Sequence, residues 1–262
     1  MFDPAYSEVM LFAVMALVVV LEQLAPREPN WTPTYTRFRN DPFACGLVYD
    51  HLTDLFPQGV TTVREPIYST AQTRLATGSI RPPVNHIFIN GDFHVDTLDM
   101  DNLLRMVDSG DDAFIAAEYF GDDMLDSLRF HTAYHWEKPD SLASIQGFNK
   151  VIHGDTDVVR FTSWPLRRSA DFRFVRGGID YFFKNFRVDS VQVLAENQHH
   201  EPVLLRIRHG KGSLWLCTAP EAFSNYYLLK DDARGFMEGA FSMLPDRPVL
   251  WDEYYKVGRK GS

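Results

Sequence analysis

Val9 to Leu21 is an unbroken run of 13 apolar residues, bounded by Glu8 and Glu22 and, further out, by Pro4 and Pro26. A helix rises about 1.5 Å per residue, so the run covers about 20 Å of a hydrocarbon core roughly 30 Å thick. Extended from Tyr6 to Leu24, it reaches the length of a span if both glutamates sit near the headgroups, where their cost is low. This predicts a retained membrane anchor over residues 1–26, with a buried core helix or a processed signal as alternatives. The first 26 residues hold no Lys or Arg, which counts against the signal. Four prolines between 26 and 42, without hydrophobic periodicity, predict an extended stalk over 27–42.

Beyond the stalk the pattern becomes that of a folded domain over 43–262. Asp41 and Pro42 predict the start of a helix with Cys45, Val48, Leu52 and Leu55 on one face, ended by Pro57 and Gly59. A β-like stretch from Val60 to Ile67 and a polar loop to Pro83 follow. His86 to Asn90 reads as a buried strand running into an Asn-Gly-Asp turn. Met100, Leu103, Leu104 and Val107 mark a helix, with Asp96 and Asp99 at its start and Gly110 at its stop, and Ala113 to Ala117 is a second buried strand. Strand, helix, strand is a βαβ unit, which implies a parallel sheet with right-handed crossovers. Residues 157–196 are β-rich but too ragged to pair. Val203, Leu205 and Ile207 then lead through Gly210-Lys211-Gly212 into Ser213 to Thr218, a hairpin. A helix from Asp231 to Leu244 and a strand from Val249 to Trp251 close the pattern.

The 262 residues are 45% hydrophobic and 23% charged, enough for a substantial core and too apolar for a disordered chain. The net charge of -9 is local: between Asp92 and Asp126 eleven acids face one base, Arg105. Phosphate-tracking needs a basic footprint, so nucleic acid is not an expected partner.

Candidate chemistry is sparse. There is no G-x-S-x-G, and Cys45 and Cys217 fall on a helix face and inside a strand, where cysteine is a small core residue. Neither Gly177-Gly178 nor Gly210-Lys211-Gly212 has phosphate-loop spacing. His131 and His135, with Glu137, would share a face if helical, but Thr132 stands where a zincin carries glutamate; His199-His200 reads as loop. Asp96, Asp99 and Asp101 lack the glycine and glutamate of a calcium loop and suit a helix start. No metal or cofactor is therefore expected. In an open parallel sheet, ligands bind beyond the C-terminal strand ends. That rule gathers Asn90, Asp92, Glu118, Tyr119, Glu221, Asn225, Asp252 and Glu253 into a candidate rim, acidic enough for a cationic ligand or a basic partner surface. The arginine-rich stretch from 160 to 176 could instead neutralise that rim from within the fold.

The segments HIFINGDF, DNLLRMVDSGDDAFIAAEYFGDDMLDSL, GKGSLWLCTAPEAFSNYYLLK and LPDRPVLWDEYYKVGR resemble the bacterial membrane-anchored domain-of-unknown-function family numbered 4350, from about Trp31 to Arg259. The resemblance implies a flavodoxin-like three-layer α/β sandwich with a mainly parallel sheet, similar to class I glutamine amidotransferases. It also implies an N-terminal transmembrane helix with the domain outside the cytoplasm. A second helix often follows the tyrosine motif in that family; here the sequence ends at Ser262. Active amidotransferases carry cysteine at the elbow that here is Glu118-Tyr119, and His-x-Glu where this chain has Ala219-Pro220-Glu221. Nucleophile and base are missing, so glutaminase activity is not expected. Relatives tend to be encoded beside MoxR-like ATPases and von Willebrand-type proteins, which implies a role in an envelope assembly. The expected function is a non-catalytic, membrane-anchored domain binding a protein partner or small ligand. The alternatives are a hydrolase using Glu118 and Glu221, or a soluble structural domain whose first helix is core.

Overall fold

The computed structural model describes residues 10, 13–20, 29–76, 81–134, 156–163, 166, 171–175, 179–186 and 191–256. The chain divides into two units, Met1–Asn30 and Trp31–Ser262. In the first, residues 13–20 are helical, and Val14, Met15, Leu17, Val18, Val19 and Val20 are all exposed. Among the described residues no helix is long and apolar enough to cross a membrane. The rest of the expected span lies largely outside them.

The second unit is built on a nine-stranded mixed sheet. Its strands are β1 (Val60–Val63), β2 (Asn85–Ile89), β4 (Asp112–Ala116), β7 (Thr156–Phe161), β8 (Phe172–Val175), β10 (Val191–Asn197), β11 (Pro202–His209), β12 (Gly212–Cys217) and β13 (Val249–Asp252), in the order β1-β13-β2-β4-β12-β11-β10-β7-β8. The first five in that order are mutually parallel, and the remaining pairings are antiparallel. Two short sheets sit beside it: β3 (Asp92–Phe93) with β5 (Tyr119–Phe120), and β6 (His131–Tyr134) with β9 (Tyr181–Lys184). The helices are α1 (Gly46–Leu55), α2 (Ile67–Arg74), α3 (Thr97–Ser109), α4 (Asp122–Leu128), α5 (Asn225–Leu228) and α6 (Asp231–Ser242).

Alternation along the buried strands sorts the core into two layers, because successive side chains point to opposite faces. Ile87, Phe114, Trp215 and Trp251 pack with Val48, Leu52, Phe236 and Phe241 of α1 and α6. Phe88, Ile115, Leu214 and Leu216 pack with Leu103, Met106 and Val107 of α3. The β2-α3-β4 unit and the β11–β12 hairpin form as the pattern predicts, and β12 joins β4 in parallel. Asp96 caps α3 by accepting from the Asp99 amide at 2.8 Å, and Gly110 ends it at φ +126°.

Four expectations change. Residues 31–42 are not a stalk: Trp31 packs edge-on against Phe43 and Tyr226, and Tyr35 is 1% exposed. The first helix starts at Gly46 with Cys45 as its N-cap, not at Asp41. The polar loop after β1 contains α2, whose buried face is only Ile67, Thr70 and Ala71, too weakly apolar to show a period. His131 lies on β6, exposed, so it cannot share a helix face; His135, Glu137 and Gly177-Gly178 lie outside the described residues.

At the N-terminal ends of the parallel strands, Asp111 accepts from Arg74 Nε and Nη2, both at 2.7 Å, from the Val84 amide at 3.0 Å, and pairs with His86 Nε2 at 3.0 Å. Burial would raise its carboxyl, but the His86 and Arg74 hydrogen bonds outweigh this and hold it below its ordinary value. Part of the acidic stretch is thus structural.

A candidate ligand site at the strand ends

Glu118 follows β4 and Glu221 lies in the 3-10 turn Pro220–Phe223 that follows β12, so adjacent parallel strands deliver both to one edge of the sheet. Their carboxyls are close enough for the Glu118 charge to act on Glu221. A like charge that close disfavours ionisation. Glu221 is accordingly pushed well above the usual carboxylate range, by burial first, then by its bond to Glu118 and the charges of Glu118 and Asp180.

Tyr35 enters from the segment before α1. Its ring lies against Gly91, where an added Cβ would stand 3.7 Å from Cε2, and its backbone takes the left-handed conformation at φ +50°, which costs about 1–2 kcal/mol for a residue with a side chain. The hydroxyl faces the Glu221 and Glu118 carboxyls, yet completes no hydrogen bond of good geometry. Asn90, 1% exposed at the end of β2, leaves both Oδ1 and Nδ2 without a partner. Ser224 Oγ, buried just after the Glu221 turn, is also unpartnered. Buried polar atoms are nearly always paired, so this concentration at the strand ends calls for an explanation.

The remaining rim residues divide. Tyr119, 51% exposed, bonds hydroxyl to hydroxyl with Tyr181, their rings 4.9 Å apart. Asp92 is exposed and paired with His94. Asn225, Asp252 and Glu253 are occupied by the fold. Asn225 accepts from the Leu47 amide at 2.8 Å and donates to the Arg39 and Asp41 carbonyls. Asp252 accepts from the Tyr254 and Tyr255 amides, and burial pushes it up to about 6. Glu253 accepts from Thr36 Oγ1 and the Arg37 amide, both at 2.7 Å, and from Trp251 Nε1 at 2.9 Å, tying the incoming segment to β13. Glu253→Ala is therefore expected to cost about 2 kcal/mol through its abandoned donors. It should also expose Arg37 and Arg39 to trypsin; an unchanged digestion rate would remove the clamp role.

Both cysteines are buried, and burial pushes each thiol up to about 12, which keeps them protonated and unreactive. Asp99 accepts from the Tyr68 amide at 2.7 Å and from the Tyr255 hydroxyl. Among the described residues no group of three or more His, Cys, Asp or Glu is placed to hold a metal. A hollow of about 260 Å³ between Arg74, Arg81, Ser109 and Asp111 lies at the opposite strand ends, with Arg74 and Asp111 already paired.

These features define a mixed α/β domain with a polar cluster at the C-terminal ends of its parallel strands. The chain belongs to the family described as domain of unknown function DUF4350, which matches residues 39–239. No curated protein matches it in sequence. Among solved structures it is similar to the exo-β-1,4-mannosidase Op5Man5 from Opitutaceae bacterium strain TAV5, at 13% identity and TM-score 0.38, over 67% of this chain and 29% of that one. It is also similar to the cytoplasmic protein STM1381 from Salmonella typhimurium LT2, at 10% identity and TM-score 0.36, over 72% and 77%. A β-galactosidase from Bacillus circulans sp. alkalophilus matches at 10% identity and TM-score 0.28, over 59% and 23%. The chain thus spans less than a third of the mannosidase and the β-galactosidase.

Proposed function

We propose that this chain is a non-catalytic binding domain that recognises a partner or small ligand at the strand-end cluster. The observation that carries this reading is the set of buried, unpartnered polar atoms on Tyr35, on Asn90 after β2 and on Ser224 after the Glu221 turn, at the same strand ends that deliver Glu118 and Glu221. Left unpaired, each such group costs about 1–3 kcal/mol, a cost that a bound ligand would offset. The five parallel strands, with the site at their C-terminal edge, support a layout akin to class I glutamine amidotransferases without their triad. Glu118 stands at the elbow, and the cysteines are held as neutral thiols.

A hydrolase remains a second reading because burial and the neighbouring Glu118 charge push the Glu221 carboxyl up, as a general acid requires. Turnover lost in both Glu118→Gln and Glu221→Gln would favour catalysis.

The direct test is a thermal-shift screen against small polar compounds, with co-purification of partners from detergent. Tyr35→Phe is expected to raise the melting temperature of the unliganded chain, since it deletes an unsatisfied hydroxyl worth about 1–2 kcal/mol, and to weaken any ligand-induced shift. A ligand that shifts Tyr35→Phe, Asn90→Ala and the parent equally would place binding elsewhere. Membrane anchoring belongs to the same proposal. It is supported by the exposed apolar side chains of residues 14–20, which need a lipid or protein cover. An anchored chain stays in the pellet after alkaline carbonate washing; release into the supernatant would remove the anchor.

A further inference from the structure

We propose that the second unit meets a lipid bilayer through one preformed aromatic face, made by Trp31, Phe43, Tyr226, Leu229 and Lys230, at the point where the chain enters the domain. This rests on the anchor reading above and adds the surface that faces the headgroups. Three stretches far apart in sequence build the face. Trp31 stands edge-on to Phe43 and Tyr226, with ring centroids 6.1 and 5.7 Å away, and Phe43 and Tyr226 are 5.8 Å apart. Backbone bonds hold the stretches together. The Thr34 and Tyr35 amides donate to the Phe43 carbonyl, both at 3.0 Å, and the Tyr226 amide donates to the Pro42 carbonyl at 2.8 Å. A face tied in this way has little left to order on contact.

Its chemistry is that of a membrane–water boundary. All three rings are half-buried. Leu229, three residues after Tyr226 at the end of α5, is 71% exposed, more than any other large hydrophobic side chain among the described residues of this unit. Lys230 Nζ lies 5.1 Å over the Tyr226 ring. Tryptophan and tyrosine rings settle at headgroup level, a leucine beside them enters the acyl boundary, and a lysine stem carries its charge back to water. Chain length names lipid as the cover. The apolar stretch that would span a bilayer ends at Leu24, and only six residues, 25–30, separate it from Trp31. Fully extended, they let Trp31 stand at most about 25 Å from the end of the span. Twice the radius of gyration expected for a domain of this length is roughly 35 Å. The tether is the shorter of the two, so the end of the domain that carries Trp31 is the end held toward the headgroups.

The test places a single fluorophore on the full chain in phosphatidylcholine vesicles whose acyl chains carry a nitroxide close to the headgroup. Leu229→Cys and Lys211→Cys supply the attachment points, because both native cysteines are buried and do not compete for label. Lys211 is exposed in the turn that starts β12, whereas Leu229 follows the end of that strand. Nitroxide quenching at 229 and none at 211 is the expected result, and Trp31→Phe should lose the quenched part of the tryptophan emission. Equal quenching at the two positions, or none at either in a chain that stays in the pellet after carbonate washing, would overturn the face while leaving the anchor standing. Release by the wash would remove the anchor. The released chain, added to the same vesicles, would keep the face if 229 alone were quenched and overturn it if neither position were. A label at 229 shielded from aqueous iodide yet not quenched by nitroxide would overturn the lipid and assign the face to a protein partner.

Discussion

Glu221→Gln is expected to raise the melting temperature, and to raise it more near pH 8 than near pH 5. The folded chain holds the Glu221 carboxyl protonated well above the pH at which the unfolded chain releases it. Above the ordinary glutamate value of about 4.3, the native state therefore binds more protons than the unfolded state, and stability falls as pH rises. The fall is about 1.4 kcal/mol per pH unit until the folded pair itself titrates. Glutamine keeps the shape but has no proton to lose, so the variant should lose this slope and keep only what other groups contribute, such as Asp252, which burial pushes up to about 6. Each kcal/mol corresponds to about 2–4 °C in a domain of this size. Parallel melting-temperature curves for parent and variant across this range would sink the idea that the fold holds Glu221 protonated. A residue whose replacement stabilises the fold is retained for something other than stability, the signature expected of a binding or catalytic group. Because the variant is expected to fold better than the parent, a loss of ligand binding in it could not be ascribed to misfolding.

Much of the rim was legible because the strands that deliver it are short apolar runs with unambiguous ends. His86 to Asn90 and Ala113 to Ala117 place Asn90 and Glu118 by themselves, and the strand-end rule adds Glu221. Tyr35 was hidden because a proline-spaced segment without periodicity reads as linker. The available signal was its aromatic content: Trp31, Tyr35 and Phe43 are expensive to leave in water, and all three pack into the fold. Asn225, Asp252 and Glu253 were gathered by position alone, and position cannot tell a side chain saturated by backbone from one aimed at a ligand. The ragged stretch of 157–196 has a physical cause as well. β10 shifts register between Val193 and Ala195 and again at Glu196, and each bulge reverses the inside–outside phase that a sequence pattern depends on.

Gly212→Ala is expected to be the most damaging single methyl that could be added to the hairpin. A Cβ built there would stand 1.9 Å from the Asp111 carbonyl oxygen and 2.7 Å from that of Val107, both backbone atoms with no rotamer to yield. Relief would require β12 to move away from the end of α3 and the start of β4, breaking the pairing of Ser213 with Asp112 and of Gly212 with His209. Overpacking of this kind costs about 3 kcal/mol, or roughly 6–12 °C in melting temperature. Gly59→Ala is the internal control. Its φ of +104° carries the left-handed penalty of about 1–2 kcal/mol, but nothing lies within 4 Å of the added methyl. Urea denaturation of the two variants separates strain from collision: similar midpoints would mean that the close approach at Gly212 is not what holds the residue there. The Gly-Lys-Gly sequence would then need another explanation, since a Cβ added to Gly210 would likewise stand 2.6 Å from the Asp108 Cα, and the Lys211 amide is spent on the Asp108 carbonyl at 3.1 Å. With its backbone committed to the end of α3, this turn has no amide cradle to offer a phosphate, and its glycines are there so that helix and hairpin can touch.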